Sequence, residues 1–169
     1  MTKRKVIIDT DPGIDDALAI MAALQHPELD VLGITAVAGN KGIQFTTDNA
    51  ARLLTYFDSE IKVYRGAATD YLSLKAGASE RADEAGFVHG KSGLGSVELP
   101  IDPLVYGEKD AVSFILDTVK AHPGEVDIIA LGPVTNLALC IEEDLDTMKQ
   151  VRSIHSMGGG VHRGNRSPV

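Results

Sequence analysis

The 169-residue sequence is poor in cysteine and in aromatic residues, and it has no long apolar run. The single cysteine, Cys140, cannot form an internal disulfide, and its apolar helical surroundings predict a buried, inert thiol. No segment approaches the roughly eighteen apolar residues that a membrane helix needs, and the N-terminus lacks the apolar stretch of a secretory signal. We therefore expect a cytoplasmic protein without a membrane partner.

Basic residues are also fewer than acidic residues, and this argues against one class of partner. Lys and Arg number 16 against 24 Asp and Glu, which gives a formal net charge of -8. Because nucleic-acid binding requires a basic surface, nucleic acid is not the expected partner. The apolar fraction of 44% and the charged fraction of 24% are ordinary, and the length favours one domain, residues 1–169, with a sizeable core.

Short apolar runs alternate with helical patterns along most of the chain. This alternation predicts an α/β fold with an open, mostly parallel, doubly wound sheet that carries helices on both faces. The segment 67–107 differs, since it is rich in glycine, serine, alanine and charge, and we expect a long functional or mobile loop there. Strands are predicted at 6–9, 31–37, 62–64, 126–130 and 153–157, and helices at 14–24, 42–57, 109–121 and 135–142.

Four carboxylates crowd the turn that follows the first predicted strand. Asp9, Asp11, Asp15 and Asp16 lie close together in sequence without a Lys or Arg among them. Two carboxylates roughly 5 Å apart repel by about 3 kcal/mol at an effective dielectric of about 20, so the cluster requires a cation, raised pKa values or open water. Helix capping accounts for Asp15 and Asp16 but not for the other two. The cluster therefore predicts a site for a hard cation, which prefers oxygen ligands.

Glycine-containing turns follow three other predicted strands, at 39–40, 131–133 and 157–160. In open α/β sheets, ligands bind beyond the carboxyl ends of the strands. We therefore expect these three loops and the aspartate-rich turn to meet along one edge of the sheet.

Residues 9–17 resemble the DxDPGxDDA signature of the inosine–uridine-preferring nucleoside hydrolase family and match every fixed position. Further segments are similar to motifs of the same family and follow in the same order along nearly the whole chain. Each glycine motif is weak by itself, but together with the aspartate motif the set is highly specific. The further segments are 38–40, 89–95, 130–136, 157–160 and 164–165.

The resemblance implies an N-glycosyl hydrolase that cleaves ribonucleosides with water to ribose and free base, uses Ca²⁺ and forms a homo-oligomer, either a dimer or a tetramer. It implies that Asp11 and Asp16 bind the metal through their carboxylates and Leu131 through its backbone carbonyl. Asp11 would also take the proton of the attacking water, which makes it the catalytic residue. Asp9 would support the metal site from behind.

The resemblance also implies substrate contacts. Asp15 would bond the ribose 2′-hydroxyl, and Asn165 the 5′-hydroxyl. Asn40 would contact the ribose or the water, His89 the base or the ribose, and Met157 the ribose environment. From the residues alone, Asn40 would be a turn residue that tolerates positive φ, and His89 a solvated side chain.

The family pattern continues past position 169. A sugar-binding Glu and Asn, an Asp that completes the calcium shell and a His that helps the base leave are expected there. The chain is therefore expected to be the N-terminal part of a longer domain and to be poorly active or inactive by itself. The residues that would determine base specificity are also expected beyond position 169.

Two other functions stay open. A phosphohydrolase of the haloacid dehalogenase type also places Asp-x-Asp after its first strand and binds Mg²⁺. However, Pro12 and Gly13 follow Asp11 here, and the Asp15-Asp16 pair has no part in that scheme. The other alternative is a non-catalytic fragment that binds a metal or ribose.

Overall fold

The computed structural model describes residues 2–80, 89–159 and 162. The predicted strands and the four predicted helices are confirmed, with ends that shift by at most two residues. Three short elements were not predicted: helices α3 and α6 and a 3₁₀ helix at Pro103–Val105. The strands are β1 Arg4–Thr10, β2 Leu29–Ala36, β3 Val63–Arg65, β4 Val126–Ala130 and β5 Ser153–Ser156, and the helices are α1 Ile14–Gln25, α2 Ile43–Tyr56, α3 Tyr71–Lys75, α4 Ala111–Ala121, α5 Thr135–Glu143 and α6 Leu145–Met148.

The strands form one sheet in the order β3-β2-β1-β4-β5, and all four pairings are parallel. β2 and β3 are added on one side of the central strand β1, and the chain then crosses to the other side of β1, where β4 and β5 are added. The order therefore reverses between β1 and β4, and such a reversal opens a crevice beyond the carboxyl ends of the two strands. Asp9 lies at this end of β1, opposite Ala130 on one side and Thr35 on the other.

Helices cover both faces of the sheet, as predicted. Val6 and Ile8 of β1 pack into a cluster with α1 and α2, whereas Ile7 packs into a second cluster with α4, α5 and α6. All three side chains are buried, and each contributes about 1.5–3 kcal/mol by leaving water. Because β1 is covered on both faces, the residues at its carboxyl end are carried into the interior.

Cys140 of α5 is buried, as predicted, and burial raises the pKa of its thiol to about 12. The thiol is therefore inert as a nucleophile at neutral pH. No helix in the described part of the chain is long and apolar enough to cross a membrane.

The segment 67–107 is tied to the sheet at its C-terminal end. Tyr106 forms a parallel bridge with Val63, and the Gly107 N–H donates to the Val63 carbonyl at 2.8 Å. The Tyr106 hydroxyl donates to Asp48 of α2 at 2.7 Å. Residues 81–88 of this segment lie outside the described residues.

A buried carboxylate joins three strands at the opposite, amino end of the sheet. Asp127 of β4 is 2% exposed and accepts hydrogen bonds from Arg4, Arg152 and Ser153. Arg152, burial and Ser153 set the pKa of this carboxyl, and their net effect holds it well below its usual range. Since the folded pKa is lowered, the stabilisation is present above the unfolded value of about 3.9 and is lost as the pH falls below it.

We expect Asp127→Asn to lower the free energy of unfolding at pH 7 by about 2 kcal/mol, because hydrogen bonds to a charged partner are lost. The loss should shrink below about pH 4, where the Asp127 carboxylate of the unfolded chain becomes protonated while that of the folded protein stays charged. Urea unfolding from pH 7 to pH 3 measures both effects. Asp117→Asn removes an exposed partner of Lys109 and serves as the control, with a change of about 0.5 kcal/mol or less. An equal, pH-independent change in both variants would contradict this role of Asp127.

Candidate active site at the carboxyl ends of the strands

Residues 9–16, here named the Asp turn, connect β1 to α1. Asp16 closes this turn, since its Oδ1 accepts from the Thr10 hydroxyl at 2.6 Å and its Oδ2 from the Gly13 N–H at 3.2 Å. Asp16 is buried, whereas the side chain of the preceding Asp15 is 69% exposed. The two neighbouring carboxylates therefore differ: Asp16 belongs to the interior of the turn, and Asp15 is open to solvent.

Asp11 lies where three loops meet. The Asn40 N–H, from the loop after β2, donates to Asp11 Oδ2 at 2.6 Å. A Cβ at Gly39 would collide with Asp11 Oδ2, and one at Gly132, after β4, would lie 2.6 Å from Asp11 Oδ1. Glycine is therefore needed at both positions for the loops to close around this carboxylate. The expected meeting of the loops after β1, β2 and β4 is confirmed.

The surroundings of Asp11 disfavour its charge. Burial, with a further contribution from the negative charge of Asp16, raises the pKa of Asp11 to about 7, although the Asn40 N–H partly opposes the shift. Asp11 is 6% exposed, so water does little to screen the repulsion. The turn holds two carboxylates together at an electrostatic cost that a bound cation would remove.

Asp9 lies behind the turn and is completely buried. Its Oδ1 accepts from the Thr35 hydroxyl at 2.5 Å and from Asn136 Nδ2 at 2.7 Å, while its Oδ2 has no hydrogen-bond partner among the described residues. Burial raises the pKa of Asp9 to about 6, against the opposing effect of Asn136 and Thr35. Asp9 is thus held by side chains from β2 and α5.

Asn136 belongs to the site, although the sequence did not predict it as a site residue. Besides its bond to Asp9, the side-chain amide donates to the Ala36 carbonyl at 3.1 Å and accepts from the Ala67 N–H at 2.8 Å. It therefore joins the carboxyl ends of β1 and β2 to the loop after β3. A Cβ at Gly66 would collide with this amide. The signal was present, since Asn136 ends the 130–136 motif, but that motif was interpreted only through its backbone.

Asn40 connects the two metal-ligand candidates. Its side-chain Nδ2 donates to the Asp11 carbonyl at 3.1 Å and, in a longer contact of 3.4 Å, to Asp16 Oδ2. It does not adopt a positive φ, so the interpretation of Asn40 as a turn residue in the left-handed region is wrong. Asn40 contacts the Asp turn through both its side-chain amide and its backbone N–H.

His89 packs against the start of α1. Its Nδ1 accepts from the Ile14 N–H at 3.3 Å and lies 3.9 Å from Asp15 Oδ1. A Cβ at Gly13 would lie 2.8 Å from the imidazole, so glycine is needed for the ring to approach. Only 15% of the His89 side chain is exposed, and the interpretation as a solvated loop residue is therefore wrong.

Three predicted site residues, Leu131, Met157 and Asn165, have fewer contacts in the structure or lie outside its described residues. The Leu131 N–H donates to the Asp9 carbonyl at 2.7 Å, which sets the Leu131–Gly132 peptide beside the Asp turn. Met157 is 61% exposed and is fixed by a bond from its N–H to the Ala130 carbonyl at 2.8 Å. Asn165 lies outside the described residues.

Among residues 2–80, 89–159 and 162, no group of three or more His, Cys, Asp or Glu side chains is arranged to hold a metal ion. Any cation at the Asp turn would therefore rely on backbone carbonyls, water and ligand oxygens in addition to Asp11 and Asp16. These features together define the class: a doubly wound α/β protein with a carboxylate pair at the switch point of its sheet.

A profile of the family described as "Inosine-uridine preferring nucleoside hydrolase" matches residues 6–169. The chain belongs to this family.

Similar proteins come from plants and bacteria. The chain is 45% identical over 167 residues to "Uridine nucleosidase 1" of Arabidopsis thaliana, which covers 98% of this chain and 48% of the relative. It is 40% identical over 166 residues to "Non-specific ribonucleoside hydrolase RihC" of Salmonella agona, which covers 96% of this chain and 51% of the relative. The chain therefore spans about half the length of these relatives.

A solved structure, "Plant nucleoside hydrolase - PpNRh1 enzyme", has the same fold, with a TM-score of 0.89 and 40% sequence identity. The match covers 98% of this chain and 51% of the plant chain. The predicted parallel, doubly wound architecture is thus confirmed by comparison as well as by the topology of the sheet.

The raised pKa of Asp11 predicts that its carboxylate lowers stability when no metal is bound. The folded pKa of about 7 exceeds the unfolded value of about 3.9, so the wild type loses stability as the pH rises through this window. In chelator at pH 8, we expect Asp11→Asn to raise the free energy of unfolding by on the order of a few kcal/mol, and the gain should vanish near pH 4.

Denaturant unfolding at both pH values measures this difference. Asp15→Asn is the matched control, because Asp15 is in the same turn and its side chain is 69% exposed, so its stability should change little. An Asp11→Asn variant that is less stable than the wild type at pH 8 would contradict the assignment of Asp11 as an electrostatically strained group.

Proposed function

We propose that this chain supplies the calcium-binding and ribose-binding part of a ribonucleoside hydrolase, which cleaves the N-glycosidic bond with water. The observation that carries the proposal is the nearly buried Asp11 carboxylate, held beside Asp16 at the switch point of the sheet. Membership of the nucleoside hydrolase family supports the reaction class. The family match also argues against the haloacid dehalogenase-type phosphohydrolase considered above.

The donor set of the Asp turn fits Ca²⁺. Asp11 and Asp16 would hold the ion through carboxylate oxygens and Leu131 through its backbone carbonyl. Calcium accepts six to eight oxygens, so ribose hydroxyls, water and further protein ligands have room to join. When bound, the ion would supply positive charge that lowers the pKa of a coordinated water and orients the sugar.

Three residues of the chain would act on the water and on the ribose. Asp11 takes the proton of the attacking water, because its carboxylate is buried and weakly stabilised, which favours a general base. Asp15 is exposed at the same turn and is available to a ribose 2′-hydroxyl. Asn40 presents an amide that both donates and accepts, which suits a hydroxyl or a water.

Carboxylates also suit the transition state of this reaction. Glycosidic cleavage develops positive charge on the sugar ring, and fixed negative groups nearby stabilise it. The Asp turn concentrates such groups, and Asp9 supports them from behind through Thr35 and Asn136. His89 would meet the base or the ribose from the glycine-rich loop, and Met157 and Asn165 would complete the ribose pocket.

We propose uridine as the first substrate to test, because one similar protein is described as a uridine nucleosidase. The chain spans about half of its relatives, and we propose that residues 1–169 alone are poorly active or inactive. The complete protein is proposed to be a cytoplasmic homo-oligomer, a dimer or a tetramer, that acts in nucleoside salvage.

Calcium binding tests the proposal without requiring turnover. Isothermal titration calorimetry should show that the 169-residue chain binds Ca²⁺ more tightly than Mg²⁺, because Mg²⁺ demands a more rigid octahedral shell. Asp11→Ala should weaken Ca²⁺ binding by roughly tenfold or more, while Asp117→Ala at the surface should leave it unchanged. Equal affinity in the wild type and in Asp11→Ala would refute the metal assignment.

Base release tests the reaction. Uridine and inosine are incubated with the 169-residue chain and with a version extended to the full length of the relatives, with and without a calcium chelator. We expect the extended protein to release base, the chelator to stop this release, and Asp11→Ala to reduce kcat by a factor on the order of a thousand or more.

Calcium binding without base release from either version would favour the non-catalytic metal-binding fragment. A kcat of the short chain equal to that of the extended version would refute its proposed impairment.

A further inference from the structure

The Asp turn is bonded to a second segment, the loop 89–95, here named the glycine-rich loop. The loop closes on itself through a bond from the Gly95 N–H to the His89 carbonyl at 2.9 Å. Leu94 anchors it in the core that also contains α1 and α2, and it is 7% exposed. The loop is therefore a folded unit with a defined position.

A buried amide on α2 connects this loop to the Asp turn. Asn49 is completely buried, and its Nδ2 donates both to the Pro12 carbonyl at 3.1 Å and to the Ser92 carbonyl at 2.8 Å. Pro12 lies inside the Asp turn, next to Asp11, and Ser92 lies inside the glycine-rich loop. The two hydrogens of one amide group thus join segments that are far apart in sequence.

The orientation of the Asn49 amide follows from its partners. Both carbonyls require a donor, and Arg52 Nη1 donates to Asn49 Oδ1 at 3.1 Å. The reverse orientation would set an oxygen against two carbonyls and an NH₂ against a guanidinium, and it would lose all three bonds. Arg52 therefore fixes the amide in the orientation that clamps the two loops.

The backbone of the glycine-rich loop is shaped for this contact. Gly93 has a φ of +91°, and a Cβ there would lie 2.6 Å from Asn49 Nδ2. A side chain at position 93 would both strain the backbone and push the loop off the amide. The close approach of the loop to Asn49 thus depends on glycine.

His89, at the start of the glycine-rich loop, is bonded to the first turn of α1. Because Nδ1 accepts from the Ile14 N–H, the neutral ring must carry its proton on Nε2. This bond also satisfies one of the N–H groups that lack a partner in the first turn of a helix. A loop released from Asn49 would free the ring to rotate and to exchange between its two tautomers.

We propose that Asn49 is a positioning residue: it clamps the glycine-rich loop onto the Asp turn and so fixes His89 as an Nε2–H donor for a nucleoside bound at the turn. The nucleoside part of this inference rests on the proposed function. The clamp itself rests only on contacts within the chain. Asn49 acts through His89 and Pro12 and does not touch the reacting atoms.

The test uses two variants that break the clamp from opposite sides. Asn49→Asp is isosteric but sets a carboxylate oxygen against the carbonyls of Pro12 and Ser92. Gly93→Ala leaves Asn49 intact and acts from the loop, so it remains informative if the buried Asp prevents folding. Thr47→Val is the matched control, because it removes a buried bond to the Ile43 carbonyl on the same helix without touching the loop.

Long-range ¹H–¹⁵N spectra report the tautomer of His89, whose signals are identified by their loss in His89→Gln. At about pH 8, where an ordinary histidine is neutral, the wild type and Thr47→Val should show one tautomer, with the proton on Nε2. The two clamp variants should show the averaged signals of a mobile imidazole, and their Ile14 amide should exchange about tenfold faster.

The proposal is overturned if the wild-type proton lies on Nδ1, if both clamp variants keep the wild-type His89 signals, or if Thr47→Val changes them equally. Uridine binding in the presence of Ca²⁺ is the second measurement, made on the version extended to the full length of the relatives. The clamp variants should weaken uridine binding about tenfold, while their Ca²⁺ affinity should change by about twofold or less. If the extended wild type binds no nucleoside, the proposed function fails, whereas the tautomer still decides whether Asn49 positions His89.

Discussion

The burial of the Asp11 carboxylate, next to the negative charge of Asp16, is the constraint on which the rest of the site depends. β1 is covered on both faces, so the chain delivers these carboxylates into a region where water screens them poorly. Backbone N–H groups and the Asn40 amide offset part of the cost but leave the pKa of Asp11 near 7. The protein keeps this unfavourable arrangement in its interior, which points to a cation and a ligand that relieve it.

The surrounding architecture holds the carboxylates in place. Reversal of the strand order between β1 and β4 brings the loops after β1, β2 and β4 to one point, and glycines at 39 and 132 let them close around Asp11. Two buried amides extend this arrangement in opposite directions. Asn136 bonds Asp9 to the end of β2 and to the loop after β3, and Asn49 bonds Pro12 to the glycine-rich loop. The site is thus a set of loops joined by side-chain amides around one strained carboxylate.

The sequence predicted the layers of the fold well, because apolar runs and helical spacing record which faces are buried. It also located the Asp turn, since four acids within eight positions, with no Lys or Arg among them, require a cation, raised pKa values or open water. It did not reveal Asn49, whose position in a helical pattern carries no sign that its amide reaches two distant carbonyls. Helices α3 and α6 were missed because they span five and four residues, too short for a periodic pattern. Long-range contacts of single amides depend on tertiary packing, which spacing along the chain does not encode.

Proton release on calcium binding tests whether a cation binds at the buried Asp11 carboxylate. A cation at the Asp turn must displace the proton that Asp11 holds near neutral pH. Calorimetric titration of the chain with Ca²⁺ at pH 7, repeated in buffers of different ionisation enthalpy, counts the protons released. Roughly half a proton should be released per bound Ca²⁺ at pH 7, falling towards zero by about pH 9 and absent in Asp11→Asn. Calcium binding with no proton release from the wild type at pH 7 would show that the cation does not bind at Asp11.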